Sequence, residues 1–119
     1  MNSIDLQVQQ IEQNIKESQT MVDLGDALAR LRNNRDFQKV IQKGYFEQEA
    51  IRLVMAKADP SMQSAESQKS ILTQIDAIGS LASYFHTLAF KAQQASKAIV
   101  YDTEVRDELL AEGLTGASE

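Results

Sequence analysis

From the N-terminus the large apolar residues return at Ile4, Val8, Ile11, Ile15 and, past polar Ser18, Val22, in alternating steps of four and three. The residues between them are mostly Gln, Glu, Asn and Lys. This is heptad spacing, the mark of a helix that presents a narrow seam to a neighbouring helix. The phase then moves to Met21, Leu24, Leu28 and Leu31, as a stutter would move it, with Gly25 at the shift. Two partners fit so narrow a stripe: another face of the same chain, or another chain. Ile4, Val8, Ile11, Ile15 and Val22 are the candidate protein-interaction residues, and the stripe predicts self-association or docking through residues 4–31.

The middle of the chain reads as two short helices around a corner. Asn33-Asn34 is a turn signal, and Asp36 is placed to cap a helix. Phe37, Val40 and Ile41 share a face. Gly44 costs about 1 kcal/mol in a helix interior relative to alanine, so a break is expected there, with Tyr45 and Phe46 in the corner. Ala50, Leu53, Val54 and Lys57 then repeat at three and four residues, widened by Ile51 and Met55. Asp59-Pro60 ends the run, and Asp59 can cap a new helix that starts at Pro60.

A polar stretch, SMQSAESQKS, follows. Ile71, Ile75, Ile78, Ala82, Phe85 and Ala89 then form a second heptad stripe flanked by Leu72, Leu81 and Leu88, and Ala92, Ala95, Ala98 and Ile99 carry it on. Gly79 is read as a place of close helix contact. One helix is expected from about Ser64 to about Leu110, and Gly113, Gly116 and Ser118 predict a frayed tail. The expected fold is all-α: an elongated hairpin or bundle, with a coiled-coil-like N-terminal helix, two short helices and one long C-terminal helix. The expected boundaries within a single domain are 1–33, 36–58, 61–110 and 111–119. Phe37, Tyr45, Phe46, Leu53, Ile75, Ile78 and Phe85 are the predicted core.

Composition sharpens this picture. With one Pro and five Gly in 119 residues there is little material for sheet turns. The absence of Cys excludes disulfides and thiolate metal sites. The first residues lack a basic-then-apolar leader pattern, and Ala77–Phe90 is too short and too polar to span a bilayer. Charge is unevenly placed. Residues 1–29 hold five acids and one base, 30–58 seven bases and three acids, 59–100 three of each, and 101–119 six acids and one base. Acidic ends around a basic middle predict self-complementary or head-to-tail contacts.

Catalytic chemistry finds no foothold. His86 is the single histidine and has no nucleophile motif beside it. Asp102, Glu104, Asp107, Glu108 and Glu112 read as a solvated helix end, and no phosphate loop or zinc pattern is present. No enzyme activity, cofactor or metal is predicted. Arg30, Arg32, Arg35, Lys39 and Lys43 are candidates for electrostatic contact. With the Gly44 corner they resemble a helix-turn-helix, but the second helix would open on Glu47-Gln48-Glu49, which repels phosphates. Docking on acidic helix ends is the favoured role, and nucleic acid the disfavoured one.

The wording LRNNRDFQKVIQKGYFEQEAIRLVMAKADP, followed after a spacer by QIDAIGSLASYFHTL, resembles a group of small tailed-bacteriophage proteins of the head and virion-structure region. The resemblance covers about residues 31–90 and rests on DF, GYF, EA-RL and AIG-L-YF. It implies a virion or host-cytoplasm location and virion proteins as partners, and it transfers no site residue. The expected function is a non-enzymatic virion or head-assembly component acting as a homo-oligomer. The alternatives are a DNA-packaging or regulatory protein of the small-terminase kind, and an effector that binds a host protein.

Overall fold

The computed structural model describes residues 2–117, with side chains through residue 114. The described residues are all-α: α1 (Ser3–Arg32), α2 (Arg35–Phe37), a π-helical segment (Gln38–Glu49), α3 (Ala50–Ala58), a 3-10 turn (Pro60–Met62) and α4 (Ala65–Ala117). Contacts group them into two units, one joining the residues up to Ala27 with those from Leu88 onward, the other holding Leu28–Thr87. The long C-terminal helix contributes to both. Its helix continues through Gly113 to Ala117, so the frayed tail expected from residue 111 is helical as far as it is described. Ser118 lies outside the described residues.

In the first unit α1 and α4 lie antiparallel. A methyl placed on Gly25 would overlap Cβ of Ala92, and one placed on Gly113 would lie 3.6 Å from Cγ2 of Ile4. Ile4 to Gly25 and Ala92 to Gly113 are both twenty-one residues, or three heptads, so the two contacts fix one register. It sets Val8 level with Leu109, Ile11 with Arg106, Ile15 with Asp102, Ser18 with Ile99, and Val22 with Ala95. Each of these residues is buried or half-buried, as are Ile4, Gly25, Ala92 and Gly113.

The second unit corrects the expected corner. Gln38 and Glu49 both keep right-handed helical angles, φ −59°, ψ −42° and φ −65°, ψ −38°. Residues 35–58 therefore form one unbroken middle helix through Gly44. Its covered residues include Phe37, Ile41, Tyr45, Glu49 and Leu53, one every fourth position, with Gln42, Phe46 and Ala50 as a second row and Gly44 and Ala56 besides. An α-helix gains about 40° with every four residues and would turn Leu53 about 160° from Phe37. The wider turns of the π segment, with hydrogen bonds to the fifth residue rather than the fourth, remove that drift. They also bring Phe37 and Phe46, half a turn apart in an ideal α-helix, onto one side. Both rings meet Phe85 of α4 edge-on, at 5.9 and 6.1 Å. Gly44 suits this winding, because a Cβ there would lie 3.1 Å from the Lys39 carbonyl oxygen five residues back.

Of the predicted core, Leu53 and Ile78 are buried, while Phe37, Tyr45, Phe46, Ile75 and Phe85 are half-buried around them. Ile71 joins the buried centre and was not predicted there. Along α4 the covered row runs Ile71, Ile75, Ile78, Leu81, Phe85 and Leu88, so the expected Ala82 faces out. The longer Leu81 reaches cover that an alanine would not fill.

Side-chain amides close the connections. Asn34, two residues earlier than the expected Asp36, accepts from the Phe37 amide at 2.9 Å and starts the middle helix. Gln38 donates to the Arg32 carbonyl at 2.6 Å, and Gln68 to those of Lys57 and Met62 at 3.0 and 2.8 Å. These bonds satisfy carbonyls that helix ends leave open. Asp59 accepts from the Ser61 amide at 2.9 Å, as the Asp-Pro signal predicts, and this bond holds its carboxyl below the usual aspartate range. Ser64 caps α4 through the Ser67 amide at 3.0 Å.

Two glycines should respond oppositely to the same substitution. Gly25→Ala is expected to lower stability by about 1 kcal/mol, because overlap with Ala92 outweighs the gain in helix propensity. Gly79 is exposed and has nothing within 4 Å, so it serves no close contact, contrary to expectation. Gly79→Ala should raise stability by about 0.5–1 kcal/mol. Urea unfolding of both variants checks the signs.

The ring cluster gives a second test. Double-mutant cycles of Phe85 with Phe37 and with Phe46 should each return a coupling of about 0.5–1.5 kcal/mol. Coupling to only one of them would contradict the π winding.

Candidate protein-interaction surfaces

The structure places the Ile4, Val8, Ile11, Ile15 and Val22 stripe on the α1 face turned toward α4 of the same chain. Val8 is buried and the other four are half-buried. Of the two partners the stripe admits, the covering one here is intramolecular. Three layers of the seam are polar on one side. Ser18, Asp102 and Arg106 occupy positions where a coiled coil prefers apolar side chains, and such residues act as register markers. Arg106 buries part of its stem and turns its guanidinium to Asp107, with Nη2 to Oδ1 at 3.3 Å. Asp102, read from sequence as part of a solvated face, is half-buried in the seam.

Arg30, Arg32, Arg35, Lys39 and Lys43 are all exposed. Because the middle helix passes Gly44 without a turn, the helix-turn-helix that they suggested does not form. On this helix one row of exposed residues at every fourth position is Arg35, Lys39, Lys43, Glu47, Ile51 and Met55, with Asp36, Val40, Gln48, Arg52 and Lys57 exposed around it. The row forms one outer strip, cationic at its N-terminal end and apolar at its C-terminal end. Val54 adjoins the apolar end. Ile51, Val54 and Met55 are 61–68% exposed, although sequence spacing had assigned them to a covered face.

Along the edge of the strip Glu49 binds Arg52, whose Nε lies 3.1 and 3.0 Å from the two carboxylate oxygens. That hydrogen bond holds the Glu49 carboxyl below its ordinary range. A shallow groove of about 330 Å³ opens beside it, lined by Val40, Ile41, Gly44, Tyr45 and Glu49.

On the first unit, α4 exposes Tyr101, Glu104, Glu108 and Glu112, spaced three, four and four. They share one helix face, turned away from the seam. Val100 is exposed beside it, and Leu110 and Leu114 are exposed on another side of the helix. The sequence signal for both strips was available in the positions left over once the seam is assigned.

Among the described residues no group of three His, Cys, Asp or Glu side chains is arranged to hold a metal ion. No described helix is long and apolar enough to cross a membrane. Compared with known proteins, the chain matches no family model, no curated protein and no solved structure.

The register of the seam can be read chemically. Val22→Cys with Ala95→Cys, which stand level, should form a disulfide on mild oxidation. Val22→Cys with Ile99→Cys, one turn out of register, should not. Thiol counting and the mobility of reduced and oxidised protein distinguish the two pairs.

Proposed function

We propose that this chain is a non-enzymatic assembly component of a tailed-bacteriophage particle or of head assembly, working as a homo-oligomer through protein–protein contacts. The observation that carries the assembly reading is exposed apolar surface. Much of the exposed surface is apolar in ways that water disfavours. Ile51, Val54, Met55, Phe90, Val100, Tyr101 and Leu114 are each more than half exposed. Large exposed apolar patches with polar rims mark protein-interaction sites. Each helix here has cover along one stripe only, which leaves its outer face for a partner.

The phage context draws on a different observation, the wording of residues 31–90, which resembles head-region phage proteins. A small helical protein with charged, apolar outer strips suits repeated contacts in a particle. Sedimentation velocity of the full chain over a range of concentrations should show reversible self-association. A chain that sediments as a monomer at every concentration would overturn the homo-oligomer. Mass spectrometry of purified particles from the source phage should find the chain as a constituent, and its absence would overturn the virion role.

A further inference from the structure

We infer that the basic–apolar strip of the middle helix docks on the acidic strip of α4 of a second copy, the two helices running antiparallel. This rests on the homo-oligomer reading and names its interface. The argument begins with order along each strip. On the middle helix the row at every fourth position is Lys39, Lys43, Glu47, then Ile51 and Met55, cationic at its start and apolar at its end. On α4 it is Tyr101, then Glu104, Glu108 and Glu112. One strip reads cationic then apolar, and the other apolar then anionic. Only the antiparallel arrangement sets apolar against apolar and acid against base together. Tyr101 then meets the Ile51 and Met55 patch, while Glu108 and Glu112 meet Lys43 and Lys39.

The lengths also agree. Tyr101 to Glu112 spans about 16 Å of α-helix, and Lys39 to Ile51 is a comparable dozen residues of the middle helix. Glu47 is the one like-charged residue in the basic row, and it stands level with Glu104. Exposure supports the same pairing, because Lys39, Lys43, Ile51, Met55, Tyr101, Glu104, Glu108 and Glu112 are all exposed within one chain. Two different strips meet, so the contact is heterologous rather than self-matching. Such charge rims add specificity and speed of encounter, and the apolar centre supplies burial.

A charge-exchange experiment tests it. One variant carries Lys39→Glu and Lys43→Glu, and the other carries Glu108→Lys and Glu112→Lys. All four positions are exposed, and circular dichroism should show helicity retained in both variants. Sedimentation of each variant alone should show self-association weakened at least tenfold. An equimolar mixture should associate as tightly as wild type, since each reversed strip finds its reversed complement. Association of the wild type should also weaken as salt rises, and this arm needs no variant. A wild type that associates but ignores both reversals, or variants that the mixture does not rescue, would overturn this interface and leave the assembly reading standing. A monomeric wild type would overturn both.

Discussion

One covered stripe along α4 is the feature on which the other helices depend. It runs from Ile71 through Leu88 to Gly113, and every other long element takes its cover from some part of it. Helices of this length are marginal in water by themselves and persist because a neighbour buries one face. In the first unit the stripe narrows to Ala92 and Ala95, and the α1 side narrows to Gly25, so the helix backbones come close. In the second unit it widens to Ile71, Ile78 and Phe85, and a broader, aromatic face of the middle helix meets it. The size of the side chains along one helix thus sets what kind of partner each region accepts.

The π segment is the clearest consequence. Its winding is costly as a backbone choice, and π turns mostly occur singly. Here a four-residue repeat of large side chains, Phe37, Ile41, Tyr45 and Leu53, requires cover on one side over about four turns. A straight α-helix would leave one of the rings Phe37 and Phe46 in water. Matching the winding to the repeat keeps both against Phe85.

Much of the fold was legible in the sequence because heptad steps translate directly into a helical seam. The two long helices, the Asp59-Pro60 boundary and the buried Leu53 and Ile78 follow from such steps. The Gly44 break did not occur, since glycine's propensity cost is small beside the burial of two aromatic rings. The period of four was on view in the sequence but was read as the nearer α period. Register between α1 and α4 was less accessible, because the pairing of Gly25 with Ala92 depends on space that sequence does not display. The candidate interaction residues were legible as an apolar stripe, but not which chain would cover them. Their cover by α4 moves attention to the outer strips, where exposed apolar and charged side chains lie.

The central claim is that assembly uses those outer strips while the isoleucine seam stays internal to each chain. Hydrogen exchange of the full chain at low and high protein concentration tests it most directly, because contact slows local opening where it forms. The account predicts slower exchange on concentration within residues 39–55 and 101–112, with residues 4–25 unchanged. A gain in protection confined to residues 4–25, with the outer strips unchanged, would contradict it.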